Sequence, residues 1–175
     1  MTRDRIAKTA RDEREALLAL HAECFPDEDL GPLVDDLLGL GNAVMSLAAR
    51  AGGGEGPSPV AHVLFTRCGP DGRGALLGPL CVAPARRGGG LGRDLIEEGC
   101  GRLAEAGVGQ VFVLGDPAFY GRFGFAAETR VAPPFPLPAE WSGAWQSRLL
   151  GGGEPLPPGP LALPDPWMDR ALWTP

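Results

Sequence analysis

Gly78-Pro79-Leu80-Cys81-Val82-Ala83-Pro84-Ala85-Arg86-Arg87-Gly88-Gly89-Gly90-Leu91-Gly92 is the stretch on which the reading of this 175-residue chain turns. An apolar run, Leu76 to Val82, predicts a buried strand, and Pro84 stops it. A basic, glycine-dense loop follows. Beyond it Leu91, Leu95, Ile96 and Leu103 recur at helical spacing. A strand that feeds a glycine-rich turn at a helix N-terminus is an anion site in outline. Glycine lets the backbone come close to a ligand, and the N–H groups of the first helical turn have no partner within the helix. Two nucleotide motifs fail here. A Walker A loop ends in Gly-Lys-Ser/Thr, and this loop has no lysine. A dinucleotide fingerprint, Gly-x-Gly-x-x-Gly, would start at Gly90-Leu91-Gly92 but meets Leu95 at its third glycine.

What fits is Arg87-x-x-Gly90-x-Gly92 behind Leu80-Cys81-Val82-x-Pro84. The pattern resembles the pyrophosphate loop of the GNAT superfamily of acyl-CoA N-acyltransferases, Arg/Gln-x-x-Gly-x-Gly/Ala. A second stretch agrees. After an apolar run Gln110 to Leu114 comes Gly115-Asp116-Pro117-Ala118-Phe119-Tyr120-Gly121-Arg122-Phe123-Gly124-Phe125. It is similar to the Phe-Tyr-x-Lys/Arg-x-Gly-Phe helix after the family's fifth strand, and in its extended form to a bacterial branch labelled YhbS-like. The resemblance covers roughly residues 1 to 130.

Length and composition set the class. A chain of 175 residues suits one domain, 1–175, with a core at 1–130 and Pro/Gly-rich strands at 131–175. Hydrophobic content of 44% with a net charge of −6 describes a globular chain without the basic surface that nucleic acid or an anionic membrane requires. The same acidity argues against a toxin acting on charged tRNA. Cys24, Cys68, Cys81 and Cys100 follow no disulfide or metal-ligand spacing, so reduced thiols, no metal and a cytoplasmic location are expected. No apolar run reaches membrane-spanning length, and Arg3, Asp4 and Arg5 precede no signal-type core.

In chain order, Arg5 to Lys8 is a short first strand, and Thr9-x-x-Asp12 opens a helix in the manner of a capping box. That helix runs through Leu17, Leu20, His21 and Cys24 to Pro26. A second helix is expected from Pro32 to Leu40, strands at Val44–Arg50 and Val60–Cys68, and a turn at Gly52 to Pro59. Gly69-Pro70-Asp71-Gly72 is a hairpin signal. Later strands are expected at Trp145–Leu150 and Leu161–Leu163, completing the sheet across the Gly151–Pro160 link. Four tryptophans, Trp141, Trp145, Trp167 and Trp173, argue that this tail is ordered. The fold class is α/β. The resemblance implies the GNAT fold, a mixed sheet of antiparallel N-terminal strands with a splayed parallel pair in the middle, flanked by helices. It also implies that the first two helices border the acceptor cleft.

The resemblance further implies acetyl-CoA as acyl donor and direct transfer to a primary amine of a small molecule or peptide. The protein would act as a monomer or homodimer. Cofactor-binding positions would be Leu80, Cys81, Val82, Arg86, Arg87, Gly88, Gly89, Gly90, Leu91, Gly92, Arg93, Asp116 and Tyr120. Tyr120, the sole tyrosine, stands where the family places its general acid. A break at Gly78 or Pro79 would free Cys81 and Val82 to pair with the pantetheine arm. The base is left open among His62, Asp116 and a water relay to Glu23 or Glu28. Asp116 reads first as a helix cap and positioning group. Cys81 reads as a small strand hydrophobe with no base beside it. Alternatives from other classes are a non-catalytic acyl-CoA-binding module, and transfer of longer acyl groups into space near Cys81 and Leu64.

Overall fold

The computed structural model describes residues 5–52 and 58–175. The expected turn at Gly52–Pro59 falls mostly on positions outside that range. Strand β1 (Arg5–Lys8) leads into a turn of 3-10 helix, Arg11–Glu13, and then helix α1 (Arg14–Cys24). The helix start differs from the expected cap. Ala10 holds the N-cap position, and its N–H donates to Glu13 Oε2 at 2.7 Å. Thr9 instead turns its hydroxyl to Ser46 Oγ at 2.7 Å, because β1 lies antiparallel on β2 with Lys8 opposite Leu47. Helix α2 (Gly31–Leu38) carries Pro32 in its first turn and ends two residues before the expected Leu40. Strands β2 (Val44–Arg50), β3 (Pro59–Cys68) and β4 (Gly74–Val82) follow. Helix α3 (Leu91–Glu105), β5 (Gln110–Leu114) and α4 (Pro117–Tyr120) complete the expected series.

The C-terminal stretch is ordered, and it departs from expectation at one strand. β6 (Ala126–Ala127) and β8 (Trp145–Leu149) join the main sheet, in the order β1-β2-β3-β4-β5-β8-β6. β7 (Val131–Ala132) and β9 (Gly159–Pro160) form a separate parallel pair. The strand expected at Leu161–Leu163 therefore lies two residues earlier and outside the main sheet. Proline at 157, 158, 160 and 164 withholds the N–H groups a longer strand would need.

Two compact units can be distinguished. The first takes residues up to Phe65 together with Pro79–Gly99, and the second Thr66–Gly78 with Cys100–Pro175. The first buries Leu17, Val34, Leu37, Leu47 and Ile96 almost completely. The second buries Phe112, Trp145 and Trp173, with the Trp145 ring stacked on Phe112 at 5.6 Å.

In the second unit the only parallel pairing of the main sheet among the described residues runs Gly74↔Gln110, Ala75↔Val111 and Leu76↔Phe112. The register stops there. β5 goes on to pair with β8 as far as Leu114↔Trp145. Two residues past the last parallel pair, Gly78 adopts φ 141°, which a side chain would strain, and Pro79 lacks an N–H for the ladder. The expected departure of β4 from its parallel neighbour thus falls at Gly78-Pro79, while β4 itself continues to Val82.

Candidate active site

The loop after β4 is built by its prolines and glycines. Pro84–Arg86 makes one turn of 3-10 helix, and Arg87 leaves it with extended dihedrals. Gly88 and Gly90 then take φ 81° and 85°, left-handed values that glycine adopts at little cost. Nothing lies within 4 Å of where a Cβ on Gly88 would stand. Asp94 N–H donates to Gly90 O at 2.9 Å, so Gly90 caps the start of α3 and the N–H groups before Asp94 have no helical acceptor. Leu91 is buried and anchors that first turn. Arg87, Gly88, Gly89 and Arg93 are exposed. Arg87 Nε donates to Val82 O at 3.1 Å, which ties the loop to the end of β4. The same carbonyl accepts the Cys24 thiol at 3.3 Å. Open backbone, orphan N–H groups and arginine positive charge suit a diphosphate.

Within the same unit a chain of side-chain hydrogen bonds runs through the interior. Ser46 Oγ on β2 meets His62 Nε2 on β3 at 2.7 Å. His62 Nδ1 meets His21 Nε2 on α1 at 2.8 Å, the two rings edge to face. His21 Nε2 is 3.6 Å from Cys81 Sγ on β4. His62 is thus neither isolated nor a lone core histidine. His21, read in the sequence only as part of a helical stripe, is its partner. Cys81, expected to have no base beside it, has one. Burial pushes the His21 pKa down to about 4, and burial followed by the His21 and Arg50 charges takes His62 down to about 3. Burial, reinforced by Cys24, raises the Cys81 thiol far above its usual range. All three groups are neutral at pH 7.

That neutrality has a pH signature. In the unfolded chain both histidines take up protons below about 6.5, while the folded chain keeps them neutral to about 4 and 3. The unfolded state then binds more protons, so stability falls as pH drops. The melting temperature is expected to decline between pH 6.5 and 4 and to level off below the folded values. Calorimetry across pH 3–8 checks this, and a flat curve from 6.5 to 4 would contradict it.

Tyr120, in the second unit, closes α4. Its ring lies against Gly115, where any side chain would collide with it. Phe119 and Phe125 pack on it edge to face, at 4.9 and 5.7 Å between centroids. Burial raises the phenol pKa above its ordinary value, so the hydroxyl keeps its proton at working pH. Asp116 is the N-cap of α4. Its Oδ1 accepts the Ala118 N–H at 2.9 Å, as the Asp-Pro pair implies. Glu23 and Glu28 are exposed. Elsewhere in this unit a cavity of about 460 Å³ is walled by the Pro133–Pro138 loop, Glu128 and Trp145. No group of three or more His, Cys, Asp or Glu suited to a metal ion occurs among the described residues.

Comparison with known proteins bears on the family of the chain. The acetyltransferase (GNAT) family model matches residues 14–125. The N-acetyltransferase YjhQ of Escherichia coli (strain K12), itself uncharacterized, is 34% identical over 136 residues, covering 73% of each chain. YhbS of the same organism is 35% identical over 125 residues, covering 71% of this chain and 72% of its own. The crystal structure of E. coli YhbS in complex with CoA superposes with a TM-score of 0.82 at 26% identity, covering 95% and 93% of the two chains. A GNAT acetyltransferase from Brucella melitensis in complex with acetyl-CoA gives 0.72 at 25% identity over 95% and 99%. The chain belongs to the acetyltransferase (GNAT) family.

Proposed function

We infer that the protein transfers an acetyl group from acetyl-CoA to a primary amine of a small molecule or peptide, directly, within a ternary complex. The observation that carries this is the Arg87–Gly92 loop, opened by Gly88 and Gly90 onto the N-terminus of α3. Its backbone N–H groups would hold the donor's diphosphate, with Arg86, Arg87 and Arg93 supplying charge. Cys81 and Val82, beyond the break at Gly78, would pair by backbone with the pantetheine amides, and an N–H there would polarise the thioester carbonyl. Tyr120 would hydrogen-bond the sulfur as negative charge grows on it. Its assignment rests on its place in Phe-Tyr-Gly-Arg-Phe-Gly-Phe and on a hydroxyl that stays protonated. Asp116 positions Tyr120 by capping its helix. Four buried cysteines without a disulfide support a cytoplasmic setting, and the Escherichia coli relatives support a bacterial one.

Acetyl-CoA or CoA should raise the melting temperature by mass action. Gly90→Val should abolish that shift, because a branched side chain is strained at φ 85° and its Cβ would crowd the Arg93 guanidinium, 3.1 Å away. A folded protein that shows no shift with either ligand sinks the reading. A screen of small amines and peptides, with CoA release counted, then identifies the acceptor class. Ligand binding without any release would favour a non-catalytic acyl-CoA-binding module.

A further inference from the structure

The interior hydrogen-bond chain has one outer end and one loose inner end. At the outer end Thr9 and Ser46, both partly exposed, share a 2.7 Å contact. At the inner end His21 Nδ1 is buried without a partner, the one such atom among the described side chains, and the ring is 1% exposed. An orphaned buried ring nitrogen carries an uncompensated desolvation cost and asks for an explanation. The ring's other nitrogen is accounted for by His62, so it is Nδ1 alone that has no role in holding the fold.

The chain also supports two opposite proton arrangements on the same heavy atoms. In one, His21 Nε2–H donates to His62 Nδ1, His62 Nε2–H donates to Ser46 Oγ, and His21 Nδ1 is a bare acceptor. In the other, Ser46 O–H donates to His62 Nε2, His62 Nδ1–H donates to His21 Nε2, and His21 Nδ1 carries a proton. Passing from the first to the second takes one proton in at His21 Nδ1 and releases one at Ser46 to Thr9 and solvent. Each bond broken to hydrogen is matched by one formed, and no ring ends up charged. After product leaves, the reverse passage, one proton in at Ser46 from solvent and one out at His21 Nδ1 to water, restores the first arrangement.

We propose that His21, His62 and Ser46 form a proton relay that carries the acceptor amine's proton from the interior of the first unit to the surface at Thr9. The amine loses that proton as its nitrogen bonds to the acetyl carbon and CoA leaves as the thiol. This rests on the acetyltransferase reading and deepens it by naming the base as a chain, entered at His21 through one water, since the ring itself is buried. The surrounding titratable groups do not compete. The Cys81 thiol beside His21 stays protonated, and Arg50 near His62 is held by Glu13 through contacts of 2.6 and 2.7 Å. Both histidines remain neutral above about pH 5, so the relay is open throughout the working range.

The test measures kcat by CoA release from acetyl-CoA, with the best amine of the screen or, lacking a better, ethanolamine. His62→Gln should lower kcat about 10²-fold, the lower end of general-base contributions. Ser46→Ala should lower it less, and Ser46→Thr, which keeps the hydroxyl, should restore it. The thermal shift with acetyl-CoA should be unchanged in each. The deficit of His62→Gln and Ser46→Ala should shrink as pH rises from 7 to 10, because hydroxide then removes the proton without the relay. A deficit constant with pH, or lost in step with the thermal shift, overturns the relay in favour of packing. So does unchanged kcat in Ser46→Ala, a partly exposed site where folding should persist if His62→Gln does not fold. Absence of both thermal shift and CoA release in the unaltered protein overturns the acetyltransferase reading itself, a result distinct from either.

Discussion

Replacing Tyr120 with phenylalanine is expected to lower turnover by roughly 10²–10⁴-fold while acetyl-CoA affinity stays near that of the unaltered protein. The ring is kept, so its contacts with Gly115, Phe119 and Phe125 survive and only the O–H is lost. The lower part of that range is the better guide. With its pKa raised by burial, the phenol holds its proton more tightly than a free tyrosine, and a departing thiolate is the weaker base. Tyr120 would therefore act mainly by donating a strengthening hydrogen bond as charge develops, with full proton transfer completed from solvent. Steady-state kinetics beside a binding measurement separate the two effects, since loss of a transition-state contact lowers kcat and kcat/KM together. Equal turnover in the variant would return Tyr120 to aromatic packing.

The second large effect is on stability and comes from the other end of the chain. Trp173→Ala should destabilise the protein by about 3–5 kcal/mol, a large part of a typical total of about 5–15 kcal/mol. Trp173 is 1% exposed, two residues from the last position described. Its Nε1–H donates to Trp167 O at 2.9 Å, and its ring packs edge to face on Trp145 at 5.8 Å. Trp167 in turn donates Nε1–H to Thr66 Oγ1 at 3.0 Å and stands under Gly78 at the β4 break. Truncation thus leaves a cavity and an unpaired buried carbonyl together. For a chain of this size the melting temperature should fall by roughly 6–20 °C. A loss under about 1 kcal/mol in urea titration, small against the usual cost of a buried Trp→Ala, would show that the C-terminal segment is only loosely coupled to the unit it belongs to.

The places where sequence reasoning and structure part company share one cause. Thr9 looked like a helix cap because capping chemistry is local, yet its hydroxyl goes to Ser46, 37 residues away. The strand expected at Leu161–Leu163 pairs earlier, at Gly159–Pro160 with Val131–Ala132, and only single backbone bonds continue it, from Leu161 N–H to Ala132 O and from Gly69 N–H to Ala162 O. Cys81 showed no base within its own segment, while His21 comes to it from a helix 60 residues earlier. Asp116, by contrast, was legible as a cap because its acceptor and the Ala118 N–H lie two residues apart.

By itself the sequence determined everything that depends on bonds between near neighbours. Proline and glycine spacing set the stop at Pro84 and the open loop at Arg87–Gly92, since those dihedral preferences are properties of the residues themselves, and the family resemblance placed the splay of β4 at Gly78-Pro79. Apolar periodicity set the helices, most strands and the mixed α/β class. Only the tertiary structure decided which buried polar groups meet. His21, Ser46 and His62 sit on α1, β2 and β3, and a shift of one residue in either strand would turn its polar group to the opposite face. Periodicity tells which face a side chain takes. The register between elements tells what it touches, and that register is fixed by burial of Leu47, Val63 and their neighbours across the whole unit.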